Sequence, residues 1–227
     1  MSAGAAPRRG REDREALRRA LRVYAITPDA WDTPAEYVAA VGVALRAGVT
    51  AVQFRTKRPR DPKTRRACAE AVQSLCRRHG ALFVVNDDVD LAIALGADAV
   101  HVGPNDAPVD VVRARVGECM WIGASAGRVE DARDRVRAGA DHLGVGAIFD
   151  ASGTKPDAHH GRGVAILKAL RADPVTASIP IVAIGGITAE RAAACIEAGA
   201  DGVAAVRDLL GARDVVAAAR AFADASG

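Results

Sequence analysis

Short and nearly continuous apolar runs alternate along the chain with longer segments whose apolar residues recur at helical spacing. Runs of this kind, without an alternation of apolar and polar residues, are typical of parallel strands that are buried on both faces. We predict eight such strands, at Arg22–Thr27, Thr50–Arg55, Leu82–Asn86, Ala99–Gly103, Met120–Ser125, His142–Ile148, Ile181–Gly185 and Gly202–Val206. The pattern therefore predicts a protein built of repeated βα units.

A short phrase recurs where a helical segment ends and a strand begins. It occurs as Gly96-Ala97-Asp98, Gly139-Ala140-Asp141 and Gly199-Ala200-Asp201, with Gly48-Val49-Thr50 as a looser copy. A glycine at this place supplies the left-handed residue that closes a helix. The phrase is thus a repeated helix-to-strand joint.

The starts of several helices also carry signals. Thr33-Pro34-Ala35-Glu36 has the sequence of an N-cap, a proline at the first helical position and a capping-box glutamate. Asp61-Pro62 repeats the cap and the proline, and Thr188 is the expected N-cap after strand seven. These signals place helices between the predicted strands.

Eight alternating strands and helices permit either a closed barrel or a doubly wound open sheet. The even spacing, and the lack of an early Gly-rich dinucleotide loop, favour a single (β/α)8 TIM barrel over residues 22–227. Residues 1–21 are rich in arginine, and we expect a poorly ordered extension with a short helix at about residues 12–20. This extension could be a tail or a transit segment.

Composition narrows the class of protein. The chain carries 31 basic and 28 acidic residues, a net charge of +3, which does not indicate a nucleic-acid-binding surface. The four cysteines form no CxxC pair. We therefore expect them to be small buried side chains in a protein from a reducing compartment. No apolar run is long enough for a membrane span. We expect a soluble, cytoplasmic protein that acts on small molecules, and a homo-oligomer remains possible.

In TIM barrels, functional residues gather at the carboxyl ends of the strands. After strand two, Gln53, Arg55 and Lys57 share one face because they are two residues apart. Fraying of the strand into solvent would also expose cations. Three polar residues in phase nevertheless favour an anion-binding function.

Strands three and four end in acidic residues. Asn86-Asp87-Asp88 follows strand three, and Asp106 follows strand four. One of these acids is expected to cap the next helix, while Asp87 and Asp106 could share a Mg²⁺ ion together with substrate phosphate oxygens. His101 and His142 lie within strands, and we interpret them as structural histidines.

The remaining strand ends suggest further contacts. Ser125 places a hydroxyl at the rim after strand five, and the loop after strand six contains Thr154 and Lys155. That loop could be a lid over an anion or a plain surface loop. Gly185-Gly186 and Val206-Arg207 end strands seven and eight, where barrels commonly bind a phosphate through backbone N–H groups.

Taken together, these motifs resemble the thiamine phosphate synthase family from about Tyr24 to the end of the chain. The resemblance rests on the order and placement of the motifs, which are Gln53-x-Arg55-x-Lys57, Asn86-Asp87-Asp88, His101-x-Gly103-x-x-Asp106, Thr154-Lys155, Gly185-Gly186-Ile187 and Gly199-Ala200-Asp201-Gly202-Val203. The resemblance implies a transferase that joins hydroxymethylpyrimidine diphosphate to hydroxyethylthiazole phosphate and releases pyrophosphate.

The resemblance also implies roles for the residues. It places four residues on the diphosphate (Arg55, Lys57, Asn86 and Lys155), two on Mg²⁺ (Asp87 and Asp106), and Gln53 and Ser125 beside the pyrimidine and its leaving group. Gly185, Gly186 and the backbone near Val206 would bind the thiazole phosphate, with Thr154 and Arg207 as further substrate contacts. Arg55, Lys57, Ser125 and Lys155 form the expected catalytic set. No protein nucleophile is required.

Three alternatives remain open at this stage. A thiazole tautomerase of the same barrel group would bind a thiazole phosphate, although the histidine expected near Gly127 is missing. A sugar-phosphate lyase or epimerase is a second alternative. A non-catalytic thiazole-phosphate-binding relative is the third, but it would have no need for the cations and carboxylates at Arg55, Lys57, Asp87 and Asp106.

Overall fold

The computed structural model describes residues 11–58, 61–149 and 161–227 of the chain. Eight parallel strands form a closed barrel in which each strand pairs with the next and β8 pairs with β1. The strands are β1 (Val23–Ile26), β2 (Ala51–Phe54), β3 (Leu82–Asn86), β4 (Ala99–Val102), β5 (Trp121–Ala126), β6 (His142–Val145), β7 (Ile181–Ile184) and β8 (Gly202–Ala205). The predicted (β/α)8 barrel is confirmed, and the alternative of an open sheet is wrong.

Helices precede the barrel and follow its strands. They are α1 (Arg11–Ala20), α2 (Pro34–Arg46), α3 (Pro62–His79), α4 (Val89–Leu95), α5 (Val109–Val116), α6 (Val129–Arg137), α7 (Ala165–Ala172), α8 (Ala189–Glu197) and α9 (Val215–Ser226). The larger apolar cluster joins outward strand residues such as Phe54 to helix residues such as Tyr37 and Val72. This layer between barrel and helices is the main hydrophobic core.

All eight predicted strands are present, and most of them are shorter by a residue at one or both ends. β5 instead extends to Ala126, and β6 ends at Val145 rather than at Ile148. Beyond β6 the chain still follows β7, because the Ile148 N–H donates to the Ile184 carbonyl at 2.9 Å. The predicted sixth strand is therefore continued by a less regular segment.

The predicted helix starts are also found. The Glu36 carboxylate accepts the Thr33 N–H at 2.8 Å, as a capping-box glutamate should. The Asp61 side chain accepts the Thr64 N–H at 3.0 Å at the start of α3. Thr188 occupies the N-cap position of α8.

The repeated joint closes the amino end of the barrel. In all four copies, the third residue of the phrase accepts a backbone N–H from the start of the preceding strand. The bonds are Val23 N–H to Thr50 Oγ1 at 2.9 Å, Phe83 N–H to Asp98 Oδ2 at 2.9 Å, Ile122 N–H to Asp141 Oδ2 at 2.7 Å, and Ile181 N–H to Asp201 Oδ2 at 2.7 Å. The looser copy at Thr50 thus has the same function as the three aspartates.

Two arginines reinforce these joints. Arg113 donates to the Asp141 carboxylate at 2.5 Å and to the Gly139 carbonyl at 2.9 Å. Arg171 forms the equivalent contacts with the Asp201 carboxylate and with the Gly199 carbonyl. Because each carboxylate also accepts a strand N–H, its charge and hydrogen bonds are satisfied together.

A second apolar cluster fills the barrel interior and reaches α1. It includes Leu17 and Leu21, which are 2% and 0% exposed, together with Tyr24 and Ala204 of the barrel. Residues 11–20, within the extension expected to be poorly ordered, therefore form a helix whose apolar face packs against the barrel. Residues 1–10 lie outside the described residues.

Among the described residues, no helix is long and apolar enough to cross a membrane. Cys68, Cys76 and Cys195 are buried and reduced, whereas Cys119 is exposed. Burial raises the pKa of the Cys76 thiol to about 12 and that of Cys195 to about 11. These two residues therefore serve as small apolar side chains, as predicted, rather than as nucleophiles. For Cys119 the prediction of a buried side chain is wrong, because this residue lies in the exposed turn between α5 and β5.

Replacing Asp141 with alanine is expected to lower the free energy of unfolding by about 2–4 kcal/mol, because the Ile122 N–H loses its side-chain acceptor and the Arg113 guanidinium loses its carboxylate partner. Asp134→Ala is the matched control, since its exposed pair with Arg137 should contribute less than about 0.5 kcal/mol. Urea unfolding of the two variants measures the difference. Equal stability would contradict a structural role for the joint.

Candidate active site

Polar side chains rise from the barrel interior to its carboxyl end along β2. Gln53 is only 3% exposed, and its amide N–H donates to the Tyr24 hydroxyl at 3.0 Å. Arg55 is half-buried and Lys57 is exposed. Gln53 lies beneath the mouth of the barrel rather than at its surface, whereas Arg55 and Lys57 follow the end of β2 and are more exposed.

The loop between β1 and α2 fixes the two cations. The Asp29 carboxylate contacts Arg55 Nη1 at 2.6 Å and accepts the backbone N–H of Lys57 at 2.6 Å. Sequence reasoning missed Asp29 because its contacts join two loops that are far apart in the sequence. The available signal was the parallel register, in which Ile26 pairs with Gln53 and the following residues of both segments lie side by side.

Two adjacent acids at the end of β3 have different functions. The Asp88 side chain caps α4 by accepting the Leu91 N–H at 2.9 Å. Asp87 has a positive φ of 63°, a left-handed conformation that costs a non-glycine residue about 1 kcal/mol. Its carboxylate contacts the Lys57 ammonium group rather than the helix. As predicted, one acid caps the helix, and the other is available to the site.

Asp106 completes a cluster with Lys57 and Asp87. The loop after β4 turns back, so that the Asp106 carboxylate accepts the Gly103 N–H at 2.7 Å. A side chain at position 103 would meet this carboxylate, since a Cβ there would lie 2.9 Å from Oδ2. The carboxyl groups of Asp106 and Asp87 are close enough for each to shift the pKa of the other. The structure thus brings the three predicted residues together.

The two carboxyl groups differ in acidity. Burial raises the pKa of Asp87, and its hydrogen bond to Asp106 raises it further, although Lys57 acts in the opposite direction. For Asp106, burial is outweighed by the hydrogen bonds from Asp87 and Gly103, so its pKa is lowered. A proton or another cation between the two groups relieves their mutual repulsion.

A histidine pair lies inside the barrel below the mouth. His101 Nε2 is 3.0 Å from Ser125 Oγ, and the His101 and His142 rings are 5.8 Å apart. Gly123 and Gly144 make room for the rings, because a Cβ at either position would lie within 3 Å of a histidine atom. His101 therefore fixes Ser125, a contact that the interpretation as a structural histidine did not anticipate.

The predicted glycine turn follows the end of β7. Gly185 and Gly186 have φ angles of 95° and 62°, and a Cβ on Gly185 would lie 2.6 Å from Ala147 Cα. Arg191 of α8 donates to the Gly186 carbonyl at 2.9 Å and lies over the Phe149 ring. A side chain on Gly185 is excluded, so backbone alone forms this part of the surface.

Other predicted residues lie apart from these contacts. Val206 is half-buried, and Arg207 is exposed just beyond β8. Asn86 ends β3 opposite His101 of β4. Thr154 and Lys155 lie outside the described residues, so their position remains a prediction.

One further cation was not predicted. The Arg162 guanidinium lies against Gly127 at the end of β5, where a Cβ would be 2.9 Å from Nη2. The space left by the small residue at position 127 is therefore occupied by an arginine from the segment before α7.

The family profile described as thiamine monophosphate synthase matches residues 23–209. This range includes all eight strands and every predicted site residue. The chain belongs to the thiamine monophosphate synthase family. The resemblance found in the sequence motifs is confirmed.

Relatives of similar length support this assignment. A thiamine-phosphate synthase of Geobacillus thermodenitrificans is 45% identical over 214 residues, covering 93% of this chain and 94% of the relative. A second thiamine-phosphate synthase, from Haloarcula marismortui, is 43% identical over 182 residues, covering 80% of this chain and 85% of the relative. A solved thiamine phosphate pyrophosphorylase from Pyrococcus furiosus has a TM-score of 0.80 and 32% identity, covering 92% and 97% of the two chains.

The buried histidine gives a prediction for pH-dependent stability. Burial, with a smaller contribution from His101, lowers the pKa of His142 from 6.5 to about 3. The unfolded chain then binds a proton that the folded chain excludes, so stability falls as the pH drops from about 6.5 toward 3. Relative to His142→Asn, the wild type should lose up to about 1.4 kcal/mol more per pH unit in this window.

Chemical unfolding at several pH values between 4 and 7 measures this difference in slope. The slopes decide the result, because the substitution itself changes the stability at every pH. Parallel curves for the two proteins would contradict the proposed exclusion of the proton.

Proposed function

We propose that this protein is a transferase that condenses hydroxymethylpyrimidine diphosphate with hydroxyethylthiazole phosphate to form thiamine phosphate and pyrophosphate. The observation that supports the proposal is the presence, at one end of the barrel, of two separate groups of residues whose chemistry suits phosphate binding. One contains Arg55, Lys57, Asp87 and Asp106, and the other contains the glycine turn after β7. Family membership supports the same reaction.

The diphosphate would bind at the ends of β2 and β3. Arg55 and Lys57 supply the positive charge, and the amide of Asn86 supplies a hydrogen-bond donor beside them. Lys155, from the segment after β6, is proposed as a further cation for the leaving diphosphate. Fixed cations stabilise charge as it develops on a leaving group without needing to reorganise.

Mg²⁺ is proposed as the cofactor, with Asp87 and Asp106 as its ligands. The donor set fits this ion, since Mg²⁺ in phosphate-binding sites takes one or two carboxylates together with substrate oxygens and water. Among the described residues no group of three or more His, Cys, Asp or Glu residues forms an all-protein metal cage. Two close carboxyl groups also favour a cation between them. When bound, Mg²⁺ would neutralise part of the diphosphate charge.

The pyrimidine would lie above the barrel interior. Ser125, held by His101, faces this space from β5. Gln53 lies below it, with its amide nitrogen directed at Tyr24, which leaves the amide oxygen as the group available to the ring. These polar groups would orient the pyrimidine by hydrogen bonds.

The thiazole phosphate would bind at the ends of β7 and β8. Gly185 and Gly186 let the backbone approach the phosphate closely, and the N-terminus of α8 follows directly. The backbone at Val206, the Arg207 guanidinium and Thr154 are proposed as additional contacts. The two substrates would thus be held by their phosphates at opposite sides of the mouth.

The chemistry then depends on alignment rather than on a protein nucleophile. Departure of the diphosphate leaves a cation stabilised by the pyrimidine, and the thiazole nitrogen forms the new carbon–nitrogen bond. Holding both partners in line makes this bond formation effectively intramolecular. A cytoplasmic location remains a prediction, and so does a homo-oligomeric assembly.

The direct experiment mixes the purified protein with both phosphorylated precursors and Mg²⁺ and measures thiamine phosphate and pyrophosphate. Both products should form in equal amounts, and omission of either substrate should abolish them. Binding of the thiazole phosphate without any product would favour the non-catalytic relative instead.

Asp87→Ala is expected to reduce pyrophosphate release by about 100-fold or more, because a proposed Mg²⁺ ligand and the partner of Lys57 are both removed. Asp90→Ala is the matched control, since Asp90 is 86% exposed on α4 and pairs with Arg115. Turnover at several Mg²⁺ concentrations measures the effect, and circular dichroism checks the fold. Wild-type turnover in the Asp87 variant would overturn the metal assignment.

A further inference from the structure

We infer that Asp29 is a positioning residue that sets the geometry of the two diphosphate-binding cations, Arg55 and Lys57. The inference rests on the proposed function, in which these cations bind the leaving diphosphate. Asp29 lies in the loop between β1 and α2. None of the site residues predicted from the sequence lies in this loop. Asp29 itself is not proposed to contact the substrate.

A single carboxylate contacts both cationic residues. Asp29 Oδ2 lies 2.6 Å from Arg55 Nη1, and Asp29 Oδ1 accepts the Lys57 backbone N–H at 2.6 Å. β2 ends at Phe54, so residues 55–57 lie beyond the regular strand. The loop residue therefore holds this extension in place, with the two cations two residues apart.

The loop is anchored on both sides of Asp29. Before it, the Thr27 hydroxyl accepts the Arg55 N–H at 2.9 Å and donates to the Arg55 carbonyl at 3.0 Å. After it, the Trp31 ring packs edge-on against Tyr37 with centroids 5.2 Å apart. The Tyr37 ring in turn lies 5.4 Å from Phe54 at the end of β2. Asp29 is thus held between a hydrogen-bonded anchor and an aromatic one.

The contact with Asp29 orients the Arg55 side chain without using all of its N–H groups. The contact with Asp29 is made by Nη1, and a guanidinium also carries N–H groups on Nε and Nη2 that can bind phosphate oxygens. Arg55 remains 18% exposed, so it can be reached from solvent. Fixing the side chain before the ligand arrives reduces the entropy that is lost on binding.

Two opposite effects of removing the carboxylate can be distinguished. If Asp29 positions the cations, its loss weakens the binding of diphosphate. If it only neutralises Arg55, its loss releases a positive charge and strengthens that binding. The direction of the change in pyrophosphate affinity therefore decides between the two functions.

The test compares Asp29→Asn with the control Asp32→Asn. Both variants remove one negative charge from the same loop, but Asp32 pairs with Arg58, which lies outside the proposed site. Calorimetry measures the Kd of inorganic pyrophosphate in the presence of Mg²⁺, and steady-state kinetics measures the KM of each substrate. Thermal unfolding confirms that the variants are folded, and Asp29→Ala serves as a second variant.

We expect Asp29→Asn to raise the Kd of pyrophosphate and the KM of the pyrimidine diphosphate by about tenfold or more, since it loses a charge-assisted contact. The KM of the thiazole phosphate should stay unchanged, which a general loss of structure would not produce. Asp32→Asn should match the wild type in all three quantities. Asp29→Ala should show at least the loss seen with asparagine.

The inference is overturned if Asp29→Asn binds pyrophosphate as tightly as the wild type or more tightly. It is also overturned if both loop variants weaken pyrophosphate binding equally. Failure of the proposed function is a different result, namely a wild-type protein that forms no thiamine phosphate. In that case the pyrophosphate measurement still reports on Asp29, because it needs no turnover.

Discussion

Closure of the amino end of the barrel depends on one hydrogen bond that is made four times. The first or second residue of each odd-numbered strand has a backbone N–H that needs an acceptor near the rim, and a buried N–H without one is costly. The residue immediately before each even-numbered strand supplies this acceptor. It is a hydroxyl at Thr50 and a carboxylate at Asp98, Asp141 and Asp201. The barrel is therefore fixed at the end away from the site, and the strand termini at the other end are free to carry ligand-binding groups.

Much of this fold could be predicted because local chemistry and the overall architecture agree. Apolar runs located all eight strands, and the glycine-containing joints and capping residues located the helices between them. The repeat even identified the looser copy at Thr50, whose hydroxyl makes the same bond as the carboxylates. The helix before the barrel was less clear, because an arginine-rich segment does not reveal that Leu17 and Leu21 meet the barrel interior.

The candidate site was predictable where it depends on alternation along a strand and less so where it depends on loops. The location of Arg55 and Lys57 follows from their place directly after a strand, and the location of the neighbouring acids follows from strand order. Asp29 was missed because its importance lies in a contact across two loops, which no local pattern reveals. The contact between His101 and Ser125 also depends on space left by glycines on neighbouring strands. The sequence does not show that those glycines face the same cavity.

The seam of the barrel lies between its first and last strands. Val23 of β1 pairs with Val203 of β8, and the Arg22 side chain donates to the Ser226 carbonyl at 2.5 Å near the end of the chain. Such a contact between distant parts of the sequence requires the largest loop closure in the molecule. During synthesis, the open edge of β1 has no partner strand in the barrel until β8 has left the ribosome. The interval before closure is therefore the period in which the growing chain is most exposed to pairing with another strand edge.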